Sequence, residues 1–79
     1  MKMNWEVRVE VQYADGRHDS LTGTWSEQTV AQAEAIAESL IAARRAEEGF
    51  RGIQLSASAS GTNSSGSAST ASIVKTVSV

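Results

Sequence analysis

The chain has no cysteine among its 79 residues. Disulfide staples and thiolate zinc sites are therefore excluded, although these are common sources of stability in very small domains. A chain of this length forms one domain, and such a domain buries only about 60% of the surface that its unfolded chain exposes. We therefore expect a thin core, with oligomerisation as the remaining source of stability.

The chain also lacks a long apolar run and an excess of basic residues. No segment approaches the roughly 20 consecutive apolar residues that span a bilayer, and Met1–Asn4 leads directly into an alternating pattern without the order of a signal peptide. We therefore expect a cytoplasmic protein that does not bind membranes. The net charge of −2 lacks the basic excess typical of nucleic-acid binders, so nucleic acid is a disfavoured partner.

The most regular feature of the chain is an alternation near its start. The apolar residues of this stretch are Trp5, Val7, Val9, Val11 and Tyr13, and the residues between them are Glu6, Arg8, Glu10 and Gln12. Because side chains of an extended chain alternate between two faces, the pattern predicts a strand with one dry face and one wet face.

A second strand follows after a short loop, and the faces of the strands decide the loop length. A two-residue loop would turn Leu21 and Trp25 into water, whereas a three-residue loop at residues 14–16 turns both onto the dry face. Gly16 suits the positive φ that such a loop requires at its third position. The resulting register pairs Tyr13 with Arg17, Val11 with Asp19, Val9 with Leu21, Val7 with Gly23 and Trp5 with Trp25.

The residues around Trp25 predict the start of a helix. Ser26 is a suitable N-cap, and Trp25 and Val30 occupy the two positions of a hydrophobic staple. The alternative start has Thr24 as the cap and Glu27 closing a capping box. Either choice predicts a helix that begins directly after the second strand.

The helix is predicted to continue to Glu48, because the segment from Ser26 contains no proline or glycine and many alanines. Gly49 marks its end. The residues expected to face the sheet are Val30, Ala33, Ile36, Ala37, Leu40, Ile41 and Ala43. The opposite side carries an alanine row, defined as Ala31, Ala35, Ala42 and Ala46. The row either reflects the high helix propensity of alanine or allows a second helix to approach closely.

The last third of the chain predicts a second hairpin with a long connection. A third strand begins at Phe50, and its inward residues are Ile53, Leu55, Ala57 and, if the strand extends that far, Ala59. Residues 60–70 are rich in serine and glycine and have no charge, which predicts a flexible loop within the domain. Residues 71–79 are rich in β-branched types and predict the fourth strand.

Lys75 interrupts the alternation of the fourth strand. It shares its face with Ile73 and Val77, so an unbroken strand would turn Lys75 inward and Val74 outward. In one interpretation Lys75 lies near the end of the sheet, where its ammonium reaches water along an apolar stem. In the other, a bulge shifts the faces between Ile73 and Val77.

The order of elements predicts a ββαββ two-layer sandwich of the α+β class, a single domain over residues 1–79 with one helix on a four-stranded sheet. The favoured strand order is 2-1-4-3, because it places the two strands richest in β-forming residues at the centre. The all-antiparallel order 2-1-3-4 is the alternative. The favoured order resembles that of β-grasp domains such as ubiquitin, in element order only. Because the sequence closes with Val79 and not with Gly-Gly, ubiquitin-like conjugation and sulfur carriage are not expected.

No catalytic, cofactor-binding or metal-binding residue is predicted. His18, Asp19 and Ser20 are the residue types of a hydrolase triad, but neighbouring strand residues point to opposite faces, so Asp19 cannot orient His18. A metal site would need more ligands than His18 with Asp15 or Asp19. We therefore expect a protein that is not an enzyme and that needs no cofactor.

Two surface features remain as candidate interaction sites. One is the alanine row, and the other is a basic cluster, defined as Arg44, Arg45 and Arg51, beside Phe50. We expect a small non-catalytic accessory module that binds another protein or itself, through a sheet edge or the alanine row, because the core is small and an edge strand carries little charge. The alternative hypothesis is weak binding of single-stranded nucleic acid through the basic cluster.

Overall fold

A computed structural model describes residues 1–62 and 66–79 of the chain. Its elements are β1 (Met3–Tyr13), β2 (His18–Gln28), α1 (Val30–Arg45), β3 (Phe50–Thr62) and β4 (Ala68–Ser78). The four strands form one sheet in which all neighbouring strands are antiparallel. With α1 packed on one face of this sheet, the predicted two-layer α+β fold is confirmed.

The first hairpin has the predicted register from the Trp5–Trp25 pair to the loop. Gly16 has a φ of +91°, a conformation that glycine adopts at little cost. The Tyr13 N–H donates to the Arg17 carbonyl at 3.0 Å and closes the loop. The loop length therefore sets which residues of β2 face the helix.

The helix begins later than predicted, and the prediction of Ser26 or Thr24 as its N-cap is wrong. Thr29 is the N-cap. Its Oγ1 accepts the Gln32 N–H at 3.1 Å, and the Gln32 side chain accepts the Thr29 N–H at 2.9 Å. This capping box satisfies two N–H groups that have no partner within the helix. Val30 is consequently the first helical residue, which is not a staple position, and it is exposed.

A bulge near the end of β2 causes the later start of the helix. The register between β1 and β2 shifts there, and Glu27 has a φ of +53°, which non-glycine residues rarely adopt. Asn4 Oδ1 accepts the Glu27 N–H at 3.0 Å and so satisfies it. The bulge lets β2 continue to Gln28, and α1 can begin only after that residue.

The favoured strand order 2-1-4-3 is wrong, and the sheet has the alternative order β2-β1-β3-β4. The low apolarity of β3 favours an edge position, yet its alanines lie against the large residues of β1. Ala59 pairs with Trp5 and Ala57 pairs with Val7, and both alanines are buried. These small side chains leave room for the Trp5 indole, which is fully buried. In β4, whose residues are all described, Ile73 alone is buried, as befits an edge strand.

The helix covers the centre of the sheet because of its connections. β2 and β3 both run antiparallel to β1, so they are parallel to each other, and α1 joins them by crossing the dry face of β1. Ala33, Ala37 and Ile41 are its buried residues, whereas Val30 and Ala43 of the predicted apolar stripe are exposed. The core consists of Met3, Trp5, Val7, Val9, Val11, Tyr13, Ala33, Ala37, Ile41, Phe50, Ile53, Leu55, Ala57, Ala59 and Ile73.

The predicted loop at residues 60–70 is too long at both ends. β3 continues to Thr62 and β4 begins at Ala68, and these two residues are paired. The strands extend because the register between them is unbroken from the Gly52–Ser78 pair onwards, and backbone pairing does not require large side chains. Residues 63–65, at the middle of the predicted loop, lie outside the described residues.

Candidate interaction surfaces

The alanine row lies on the outward face of α1. Its members are Ala31, Ala35, Ala42 and Ala46, and all four are exposed. They are on the side of the helix opposite to Ala33 and Ala37, which are buried against the sheet. The structure therefore places the four alanines on one accessible surface, and their role in binding stays a prediction.

The basic cluster is divided by the contacts of Arg44. Its Nη1 donates to the Tyr13 hydroxyl at 3.2 Å, and it lies 3.1 Å from both Asp19 Oδ2 and Glu47 Oε1. The Tyr13 hydroxyl in turn donates to Glu47 Oε1 at 3.0 Å. The hydrogen bond to Tyr13, followed by the contact with Glu47, raises the pKa of the Arg44 guanidinium. Arg44 thus ties the end of the helix to both strands of the first hairpin.

The other two members of the basic cluster, Arg45 and Arg51, are exposed. Binding of nucleic acid depends on cations that can neutralise phosphates. Because the charge of Arg44 is already balanced by two carboxylates, the cluster offers less to a phosphate than its sequence indicates. The nucleic-acid hypothesis stays a prediction with reduced support.

β2 is one edge of the sheet, and its residues 20–26 form what we call the β2 edge. This segment, Ser20-Leu21-Thr22-Gly23-Thr24-Trp25-Ser26, contains neither charge nor proline. The Tyr13–Arg17 hydrogen bond fixes the alternation, so odd-numbered residues of β2 bond to β1 and even-numbered residues turn their N–H and C=O groups outward. Thr22 and Thr24 therefore present backbone donors and acceptors to a further strand.

An apolar notch opens beside the β2 edge, on the same side of the sheet as the helix. It has a volume of about 180 Å³ and is lined by Val7, Val9, Leu21, Thr22, Gly23, Trp25 and Leu40. A Cβ atom added at Gly23 would meet nothing within 4 Å, so the space above this glycine is open. Leu21 is 41% exposed, and Trp25 and Leu40 are half-buried, so α1 leaves this apolar margin uncovered.

β4 is the opposite edge, and a charged residue lies three positions before its end. Lys75 lies on the helix side of the sheet opposite Leu55, and the unbroken register excludes the bulge that would have turned it away. Its Nζ is 2.8 Å from Glu38 Oε1, and this contact raises the pKa of the Lys75 ammonium. Lys75 thus reaches the outer side of α1 along its apolar stem from a position three residues before the end of β4, in agreement with the first of the two interpretations.

An inward-facing lysine on an edge strand opposes pairing with a further strand, because that strand would cover the charge. β4 contains such a lysine and the β2 edge does not. Of the two edges, the β2 edge is therefore the one that is open to strand addition.

The sheet face away from the helix is polar. On it, Arg8 lies between Thr22 and Ser56. Glu6 lies between Thr24 and Ser58 in the same way. A shallow concavity follows these pairs. The mixed charges suit contact with water. Each of these two β1 residues thus has one neighbour on the edge strand β2 and one on the central strand β3, so the two neighbours occupy equivalent positions.

Chemistry-bearing side chains are sparse in the structure. Within residues 1–62 and 66–79, no three His, Asp or Glu side chains come together as a metal-binding group. Asp19 contacts Arg44 on the helix side, whereas its neighbour His18 faces the other way along the strand. The one described helix has 16 residues, fewer than the roughly 20 that a membrane-spanning helix needs.

Comparison with known proteins found no protein-family model, curated protein or solved structure that matches this chain. The functional argument therefore rests on the geometry of the β2 edge and of the apolar notch. The sequence places Leu21 and Trp25 on the dry face, but it does not reveal that the helix leaves them uncovered. Gly23, in the middle of a strand opposite Val7, does indicate room on this face, but not what fills it.

Proposed function

We propose that this protein is a non-catalytic interaction module that binds an extended protein segment as an additional strand on its β2 edge. The observation that carries the proposal is the coincidence of an uncharged edge segment, residues 20–26, with the apolar notch beside it. Such a module requires no cofactor, and its composition is compatible with a cytoplasmic role.

Strand addition uses two kinds of contact, and the β2 edge offers both. Outward-facing backbone groups at Thr22 and Thr24 supply hydrogen bonds to any extended segment. Side-chain pockets beside the edge provide selectivity, because alternate residues of the added strand point to the same face. The apolar notch at Gly23 would therefore accept an aliphatic or aromatic side chain from the bound segment.

A matched pair of variants tests this proposal. The edge variant, Thr22→Lys/Thr24→Lys, places two positive charges on the β2 edge. Ser56→Lys/Ser58→Lys, the control variant, adds the same charges beside the same residues of β1, on the central strand β3. Each chain is immobilised in a cell extract, and the retained proteins are quantified by mass spectrometry. We expect wild type and the control variant to retain a protein, or untagged copies of this chain added to the extract, that the edge variant loses.

Amide exchange then locates the contact. The outward N–H groups at residues 20, 22 and 24 should exchange fast in the free protein and slow down in the complex, because the added strand accepts their hydrogen bonds. Equal retention by all three chains, or slower exchange on α1 with no change at these residues, would show that the alanine row or another surface binds the partner.

A further inference from the structure

We propose that the segment which occupies the β2 edge is the β2 edge of a second copy, so that two chains form one continuous eight-stranded sheet. The inference rests on the proposed function and names its partner. It follows from the order of residues along the edge, which is complementary to itself when one copy is turned by 180° about an axis at Gly23. Gly23 then faces Gly23 of the second copy.

The two-fold arrangement pairs unlike apolar residues across the axis. Leu21 lies opposite Trp25 of the second copy, and Trp25 lies opposite Leu21 of the second copy. Aromatic and aliphatic residues directly opposite each other stabilise antiparallel pairs. Because glycine has no side chain, the Gly23 pair leaves room for the two indoles to meet the leucines over the notch.

The backbone fits the same register. The even-numbered residues of β2 have outward N–H and C=O groups, and hydrogen-bonded pairs must join two such residues. An axis at Gly23 joins Thr22 to Thr24 of the second copy and Ser20 to Ser26 of the second copy. Both pairs satisfy the requirement, and hydroxyl groups opposite each other can also exchange hydrogen bonds.

The acidic residues at the ends of β2 select this register among the alternatives. A shift of the axis by one residue towards Thr22 would place Asp19 opposite Trp25 of the second copy. A shift by one residue towards Thr24 would place Glu27 opposite Leu21 of the second copy. The axis at Gly23 keeps both carboxylates outside the apolar pairs. They face each other beyond the seven paired residues, where Asp19 is balanced by Arg44 and the bulge displaces Glu27.

The helices leave space for the contact. In the eight-stranded sheet the two β1 strands, over which the helices cross, are three strand spacings apart, or roughly 14 Å. Packed helices are about 8–10 Å apart, so the two helices do not collide. The gap between them lies directly over the paired β2 edges. It is lined by Leu21, Trp25 and Leu40 of both copies, the residues that line the notch in one copy.

The test uses the absence of cysteine from the chain. Gly23→Cys places one thiol at the axis, where the Cα atoms of a non-hydrogen-bonded pair are about 4.5 Å apart, within the range of a disulfide. Ser20→Cys is a control on the same edge, because residue 20 faces residue 26 of the second copy. Val74→Cys is a control at the exposed centre of β4. We expect Gly23→Cys to form the covalent dimer at least roughly tenfold faster than either control, since pairing concentrates its thiols.

Mass measurements on the unmodified chain complete the test. Light scattering after size exclusion should show a mass that rises from 8.3 kDa towards twice that value with concentration, and the edge variant should remain at 8.3 kDa. A wild type that stays at 8.3 kDa throughout, or a Gly23→Cys rate equal to that of Ser20→Cys, would overturn self-pairing. If self-pairing fails but the edge variant still loses a partner protein, the proposed function stands. The β2 edge then binds a segment of that partner and not a second copy of this chain.

Discussion

The Lys75 ammonium and the Glu38 carboxylate are 2.8 Å apart, so an ion pair joins the edge strand β4 to the outer side of α1. The two residues have different roles in this contact. Glu38 binds the Lys75 ammonium at the helix, and Lys75 keeps a charged side chain on the helix side of the edge strand. The ion pair therefore maintains the difference between the two edges of the sheet.

Replacing Lys75 tests this role directly. Lys75→Met keeps an unbranched side chain on the dry face but removes the charge, so β4 becomes an apolar edge without protection. We expect assemblies larger than those of wild type, detected by light scattering across a concentration series. Thr76→Met is the control, because it introduces the same side chain on the polar face and leaves Lys75 in place. If the two variants have the same mass distribution, Lys75 does not protect the edge.

The hairpin tip should respond to acid. The Arg17 N–H donates to Asp15 Oδ1 at 3.0 Å, and the Arg17 Nε donates to Asp15 Oδ2 at 2.7 Å. The backbone bond, followed by the side-chain bond, lowers the pKa of Asp15 below its ordinary value of 3.8. A lowered folded-state pKa stabilises the fold above the unfolded pKa, and this contribution is lost as the pH falls through the folded value.

We therefore expect an NMR titration of the Asp15 carboxyl to have its midpoint below 3.8. Arg17→Gln should move the midpoint upwards, because it removes the guanidinium bond, while the backbone bond keeps part of the shift. The difference in unfolding free energy between wild type and Asp15→Ala should be present at pH 7 and should shrink below pH 3.8. A midpoint at or above 3.8 in wild type would contradict the observed bonding.

Two leucines on the same face should differ in their contribution to folding. Leu55 is fully buried at the centre of the sheet, whereas Leu21 is 41% exposed beside the notch. We expect Leu55→Ala to lower the unfolding free energy by about 3 kcal/mol, because it removes buried contacts and leaves a cavity. Leu21→Ala should lower it by less than about 1 kcal/mol when measured in dilute monomer. Denaturant titration gives both values, and similar losses would mean that Leu21 is buried after all.

The contacts of Arg44 should make it more important for stability than its neighbour Arg45. Arg44→Gln removes contacts with Tyr13, Asp19 and Glu47, and we expect a loss of about 1 kcal/mol, the upper range for partly exposed ion pairs. Arg45→Gln, at an exposed site, should have little effect. The difference between the two variants should decrease in 1 M salt, at which charges are screened over roughly 3 Å. Equal stability of both variants would show that the Arg44 contacts do not contribute.

The features that the sequence predicts correctly are those decided within a few residues. The hairpin register follows from the faces of Leu21 and Trp25 and from the glycine that the loop needs, and all of these lie within one local pattern. The helix start depends instead on Asn4, which holds the bulge at Glu27 from a neighbouring strand. No local pattern contains that contact, so the sequence predicts Ser26 or Thr24 as the cap and misses Thr29.

The strand order and the notch are missed because they depend on how side chains that are distant in the sequence pack against each other. Because Ala57 and Ala59 are small, they make β3 a weak strand when only the apolarity of its residues is considered. Beside Trp5 the same small side chains are what allow close packing, and they place β3 at the centre. The uncovered margin at Leu21 likewise results from where α1 crosses the sheet, and the periodicity of the helix does not contain that information.

The unequal edges of the sheet also limit how far an assembly can grow. Pairing between two β2 edges is isologous, since each copy uses the same surface, and it leaves only the lysine-bearing β4 strands at the two outer margins. Surfaces that differ from each other and join head to tail can propagate into open fibres, whereas an isologous contact closes after one step. In the proposed dimer, a single lysine at each outer margin would therefore keep the pair a finite, symmetric particle.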